Sequence, residues 1–430
     1  MCGFIAYKGD EDLGDMLLSH MSYRGLPGFE AVYYDKPYVF AHIALPFVNL
    51  DPAVAVQPVF TSGVPGLFVG EVFNYDTQYP TDGQYVHQMY RMGGHRVFHD
   101  FDGFWTYVTL ANGKLIGYTD YLGQKPLYYR TDLEAMASEI EVLKLLGPST
   151  IDEVFMSNTM KWGYSPDGRT PYNEIKQVPP GHYVYDGSVH KYWNWNAVHT
   201  GTSLYNDLKR ATELRLGGQR EVSILLSGGL DSSIIYGLLK EIGRVPTAIH
   251  VDNGEEDYAR LVSSDLVDVS LSSVNDFEAV LVHQSPVDLG SVKPQIAMAK
   301  KLRQLGFYAV LTGDGADELF GGYRRAKEYD SQQSDVFCEL PYYHLPKIDR
   351  TMMRYTIETR SPFLAPYIVK RALFTSYRDR IDKKILKEEF ASIVPREILT
   401  REKHPLKTET IRTDPMVQRK INDEIFRSMA

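Results

Sequence analysis

The chain has 430 residues, a formal net charge of −9, and 43% apolar against 23% charged residues. That is the make-up of a soluble globular protein with room for two packed domains, and its acidity excludes a general nucleic-acid binder. No apolar run reaches a membrane span and no signal peptide is read. With only Cys2 and Cys338, neither a disulfide framework nor a zinc site is expected, so a reducing, cytoplasmic setting is.

In chain order, Phe4–Tyr7 is predicted as a strand. Leu13, Met16, Leu17 and Met21 then recur at helical spacing. Apolar strands are predicted at Ala31–Tyr34, Val39–Leu45, Leu67–Phe73, Trp105–Ala111, Leu115–Thr119 and Leu127–Tyr129. A Pro179-Pro180-Gly181 corner and the segment Trp193–Asn196 end this half, which places a domain boundary near residues 195–203. Strand and helix then alternate: Val222–Leu226, Thr247–Val251, Val267–Leu271 and Tyr308–Leu311 are short buried-strand candidates. Pro294 is predicted to open a helix that Gly306 caps. Such alternation argues for a parallel sheet covered by helices, and from Thr351 onward the pattern is mainly helical.

Two places carry chemistry on their residues alone. Removal of Met1 would leave Cys2 with a thiol and an α-amine, groups that titrate near ~8.5 and ~7.7–8.0. One residue would then supply both a nucleophile and its base. Farther on, a buried strand enters Leu226-Ser227-Gly228-Gly229-Leu230-Asp231-Ser232-Ser233 and a helix follows at once. Glycines there let backbone approach a phosphate, and the helix N-terminus offers open N–H groups. Asp231 would repel a bare anion but suits a Mg²⁺ that bridges a leaving pyrophosphate. The GxxxxGK[ST] pattern of γ-phosphate transfer is absent.

This loop resembles the pyrophosphate loop of ATP pyrophosphatases that adenylate a substrate, and its spelling is closest to the glutamine-hydrolysing asparagine synthetase family. Thr312-Gly313-Asp314-Gly315-Ala316-Asp317-Glu318 resembles the second signature of that family. By that resemblance Asp231 and Asp317 hold Mg²⁺, Leu226 to Gly229, Ser232, Ser233, Val251 and Gly313 line the ATP site, and Asp314 sits near the acceptor. Glu358-Thr359-Arg360-Ser361-Pro362-Phe363-Leu364 resembles E-x-R-x-P-F-L-D with Ala365 in the last place, and Arg401-Glu402-Lys403 resembles R-x-K, whose lysine is catalytic. The first half is similar to a class II glutamine amidotransferase domain: Met1-Cys2-Gly3, Tyr23-Arg24-Gly25, Gly70-Glu71-Val72-Phe73-Asn74-Tyr75 and Asp120 to Tyr129 all match its pattern. Cys2 would be the nucleophile, Gly70 an oxyanion donor, and Arg24, Glu71 and Asp82 glutamine contacts.

The resemblance implies an αββα sandwich of N-terminal-nucleophile hydrolase type over residues 1–195. Over residues 204–430 it implies a parallel-sheet α/β domain, similar to adenine nucleotide alpha hydrolases, with a helical C-terminal part. It further implies ATP and Mg²⁺, small-molecule substrates (glutamine or ammonia, with aspartate or a related carboxylate), no nucleic acid or membrane partner, and it admits a homodimer. An acyl-adenylate formed from ATP would be attacked by ammonia, most simply giving asparagine.

Three departures stand against the family pattern. Val69 replaces the asparagine that donates to the oxyanion, and Ala44 replaces the arginine that pairs with the glutamine α-carboxylate. The aspartate-holding stretch I-R-x-S-T-P-M-Y reads Leu289 to Ile296 here, without its arginine and with Lys293 new. The first domain is therefore left open as a weak glutaminase, an enzyme for another amide, or a scaffold beside direct ammonia use. The acceptor carboxylate stays open as well.

Overall fold

A computed structural model describes residues 2–195, 203–217, 221–251, 256–275 and 289–401. The chain divides into two compact units: one runs up to Asn194 and includes Pro341–Pro346, and the other takes Trp195–Leu340 and continues from Lys347.

The first unit holds two six-stranded antiparallel sheets. One has the order Ile175–Gln177, Tyr128–Arg130, Ala135–Ala137, Gly3–Lys8, Tyr38–Ile43, Glu30–Asp35. The other runs Ser188–Lys191, His182–Tyr185, Lys114–Thr119, Gly103–Ala111, Val64–Val72, Val59–Thr61. Alternation of side chains along Gly3–Lys8 decides the layering. Ile5 and Tyr7 join Leu17, Leu18, Ile140 and Leu143 under the helices Gly14–Ser19 and Ile140–Lys144. Phe4 and Ala6 point the other way, and Gly3–Lys8 and Tyr38–Ile43 face Val64–Val72 of the second sheet. On the far side of that sheet, His87 of the helix Asp82–Gly93 packs on Tyr107. The layers are therefore α, β, β, α, as expected.

In the second unit five strands form a wholly parallel sheet, in the order Leu266–Val269, Thr247–Val251, Ser223–Leu225, Ala309–Leu311, Glu358–Arg360. One strand was not foreseen, and one expectation needs correction. Glu358–Arg360 is an edge strand within a stretch that is otherwise mainly helical, as expected. Its three residues are too few to show a period of two, and two of them are buried charges, which hides a strand from a hydropathy reading. The helix Leu289–Gln304 begins before Pro294, so Pro294 lies inside it and forfeits one intrahelical hydrogen bond instead of opening the helix. Gly306 does cap this helix, with φ +85° and its N–H on Arg303 O at 3.1 Å.

Strand order sets the location of the second site. From Ser223–Leu225 the chain builds outward to one side, then returns to place Ala309–Leu311 on the other. Loops that leave these two neighbours at their carboxyl ends must diverge, which opens a crevice at that switch point. They are the loops Ser227–Gly229 and Thr312–Gly315.

Candidate functional site

In the first unit, Cys2 precedes the strand Gly3–Lys8 and is partly exposed. A turn at Ser22–Arg24 presses against Gly3 so closely that a Cβ there would lie 3.0 Å from Met21 Sδ. Arg24 is buried; its Nε donates to Cys2 O at 3.1 Å and its Nη1 to Glu139 Oε1 at 2.5 Å. It therefore anchors the backbone of Cys2.

Gly70 has φ +131°, and a Cβ on it would fall 1.9 Å from Phe104 O, so only glycine fits. Asp82 opens the helix Asp82–Gly93; its Oδ2 accepts from Val72 N at 3.0 Å and its Oδ1 from Gly83 N at 2.9 Å. Those bonds fix it beside the Glu71–Val72 strand end, and a carboxylate keeps capacity for a further donor. Burial, then the charges of Asp82 and Glu71, push the Tyr75 hydroxyl up from its ordinary value. Tyr75, quoted in the Gly70 to Tyr75 motif but given no role there, thus lies within the electrostatic reach of both carboxylates.

Both departures in this unit are buried and apolar. Val69 is 1% exposed and stands opposite Thr106, and Ala44 is 1% exposed, its backbone tied to Leu26 and Phe29. His42, on the strand beside Gly3–Lys8, is also buried, which lowers it to about 3. It is neutral, and its Nδ1 accepts from Gln57 N at 3.3 Å.

In the second unit the phosphate loop is tied by its own hydroxyls. Ser227 Oγ accepts from Gly229 N at 3.2 Å and meets Ser232 Oγ at 3.2 Å, while Ser233 Oγ donates to Gly229 O at 2.7 Å. Gly228 takes φ +73°. The helix Leu230–Glu241 then starts with no side-chain cap, leaving its first N–H groups for an anion. Leu226 N extends the sheet to Ile249 O, and Val251 ends the neighbouring strand. Gly313 closes the crevice: a Cβ there would meet Asp231 Cβ at 2.8 Å and Ser232 N at 3.1 Å. Thr312 Oγ1 is buried without a partner among the described residues. Asp314 lies just past this approach, its carbonyl held by Ser361 Oγ at 2.6 Å. Arg401 donates to Gly228 O at 3.3 Å and stacks on Tyr258 at 4.0 Å. Lys403 lies outside the described residues.

Asp231 and Asp317 converge on one cation. Lys383 Nζ lies 2.8 and 2.6 Å from the two oxygens of Asp231 and 2.5 Å from Asp317 Oδ1. Burial opposes that charge, but the two carboxylates outweigh it and hold Lys383 above the ordinary lysine value. Sequence reasoning did not single out Lys383, because its partners Asp231 and Asp317 lie far from it along the chain. Two hard carboxylates that already share one cation form the donor set that Mg²⁺ selects, so the residues fit that ion.

Comparison with known proteins bears on both units. The family model described as asparagine synthase matches residues 203–338 and 331–428, and that of a glutamine amidotransferase domain matches residues 1–193. The chain belongs to the asparagine synthase family. Asparagine synthetase B (glutamine-hydrolyzing) of Escherichia coli is 24% identical, across 89% of this chain and 76% of that protein. The rat asparagine synthetase (glutamine-hydrolyzing) is 26% identical over 94% of this chain and 83% of its own length. A probable asparagine synthetase of Acanthamoeba polyphaga mimivirus is 26% identical over 78% and 68%. This chain is thus an enzyme of the asparagine synthase kind. Among the described residues no helix is long and apolar enough to cross a membrane.

The stretch Leu289 to Ile296, which departs from the family pattern, is tied by side-chain hydrogen bonds to the helix Leu345–Met353. Ser291 accepts from Lys347 Nζ at 3.0 Å, and Gln295 Oε1 from Thr351 Oγ1 at 2.7 Å. All four residues are buried, so polar pairs between two helices stand in the region of the missing arginine.

Proposed function

We propose that this enzyme joins a carboxylic acid to ammonia at the expense of ATP, releasing AMP and diphosphate, with aspartate to asparagine as the leading instance. The convergence of Asp231 and Asp317 on one cation, beside an uncapped helix N-terminus, carries this reading. The triphosphate would lie over Ser227–Gly229, where N–H groups of the Leu230–Glu241 helix receive its oxygens and the hydroxyls of Ser232 and Ser233 hold the loop in shape. Mg²⁺, held by Asp231 and Asp317, would neutralise charge on the leaving diphosphate. Gly313 lets the second loop close on Asp231 and Ser232, which keeps the two loops together at this site. The acceptor carboxylate oxygen attacks the α-phosphorus, diphosphate departs, and the mixed anhydride is cleaved by ammonia with AMP as leaving group. Asp314, on the loop that follows Ala309–Leu311, is the residue we assign to take a proton from the attacking nitrogen.

We further propose that ammonia serves this enzyme better than glutamine. Cys2, Gly70, Glu71 and Asp82 are kept in the sequence, but a buried valine replaces one oxyanion donor, at a loss on the order of 10²–10³ in rate. The methyl group of Ala44 offers nothing to a substrate carboxylate. Diphosphate release tests the first proposal, measured with ATP, magnesium and ammonium against a panel of acids. Stimulation by aspartate supports asparagine formation; silence with aspartate but response to another acid reassigns the acceptor. Silence throughout removes the ligase reading.

A further inference from the structure

Lys383 is held between two carboxylates by a backbone that resists the conformation. Asp382 and Lys383 both take left-handed angles, φ 54° and 56°, a region that non-glycine residues rarely enter. The surroundings impose it: Asp382 N donates to Gly321 O and Lys383 N to Phe320 O, each at 3.0 Å. Gly322 is bare for the same reason, since a Cβ would lie 2.0 Å from Asp317 Oδ1 and 2.3 Å from Lys383 Cε. The fold thus spends strain and a side-chain-free position to seat one ammonium where the metal would sit.

Accepting the cation–phosphate reading of this site, we propose that Lys383 is a place-holder for the divalent cation and makes metal binding conditional on the nucleotide. The three side chains carry a net charge of −1. A dication added alone would leave +1, with the ammonium crowded against it in a half-buried crevice, where like-charge repulsion is weakly screened. A triphosphate brings the negative charge that lets both cations stay. Lys383 thereby holds Asp231 and Asp317 together in the resting enzyme and yields them when nucleotide arrives.

Binding of Mn²⁺ to the full chain without nucleotide, followed by the electron paramagnetic resonance of free Mn²⁺, tests this. Lys383→Met is expected to bind at least about tenfold more tightly than wild type, Lys383→Arg like wild type, and adding Asp231→Asn to Lys383→Met should cancel the gain. Should the methionine variant be destabilised by its two unneutralised carboxylates, magnesium should raise its Tm but not that of wild type. A methionine variant that binds Mn²⁺ no better than wild type, with a Tm indifferent to magnesium, overturns the proposal. If wild type releases diphosphate while that holds, only the place-holder fails. If the gain appears but no acid elicits diphosphate, only the ligase reading fails.

Discussion

The two candidate sites depart from one family pattern in opposite ways. In the second unit the arginine of the Leu289 to Ile296 stretch is gone, but the groups around the Ser227–Ser233 loop are mutually engaged: Asp231, Asp317 and Lys383 form one cluster, and Ser227, Ser232 and Ser233 tie the loop. In the first unit the scaffold is equally well made, with Gly70, Asp82 and the Arg24–Glu139 pair in place, yet two groups that would touch substrate are apolar. Residues that shape a backbone can persist where residues that bind charge have gone. The difference separates keeping a fold from keeping a reaction.

The most severe way to break this comparison is to remove a carboxylate from the second unit. Asp231→Asn or Asp317→Asn should lower diphosphate release by about 10³-fold or more, because charge on the leaving group goes unneutralised. A loss below tenfold would show that the cluster is structural only.

The first unit can be tested by restoration. Val69→Asn returns an oxyanion donor next to Gly70 and should raise glutamate release from glutamine by up to about 10²-fold, dependent on Cys2. An unchanged rate would place the defect elsewhere, at Ala44 first.

Gly322→Ala should have a smaller effect. Its methyl group would displace Lys383 or Asp317, with a drop in Tm and a rise in the KM for ATP of about tenfold. Gly147→Ala is a control that, like Gly322, has no positive φ but meets nothing nearer than 3.5 Å, and it should leave the KM unchanged.

The smallest effect concerns pH. Burial lowers His42 to about 3 and His87 to about 4, so both are neutral in the fold and take up protons near 6.5 when it opens. The unfolded chain binds more protons below 6.5, so their contribution is intact above that value and is lost as the pH falls toward 4. Asp120, raised to about 6 by burial, acts in the opposite sense between its ordinary value and 6. Thermal unfolding of the first unit should therefore shift to lower temperature between pH 7 and 5, and His87→Gln should flatten that dependence. A flat profile in wild type would contradict the burial of both rings.

Much of this was legible in the sequence where one residue type alone solves a local problem. Ser227 to Ser233 could be read because glycines and hydroxyls between a buried strand and a helix have few other uses, Thr312 to Asp317 was read through family resemblance, and the parallel sheet followed from its alternating helices. Cys2, Gly70 and Asp82 were legible through family resemblance, since their spacing alone is weak evidence. Lys383 was not legible: its role comes from a left-handed backbone and from contacts with residues 152 and 66 positions away, which no local pattern records. Arg24 was identified as important, but its direction, inward to Cys2 O and Glu139, is a property of packing.

Purified enzyme given ATP, magnesium and a responsive acid allows the central claim to be tested by comparing diphosphate release with ammonium against release with glutamine. The account predicts brisk release with ammonium, lost in Asp231→Asn, and a far slower amide-forming rate with glutamine. A rate with glutamine that equals or exceeds that with ammonium, and disappears in Cys2→Ala, would contradict it.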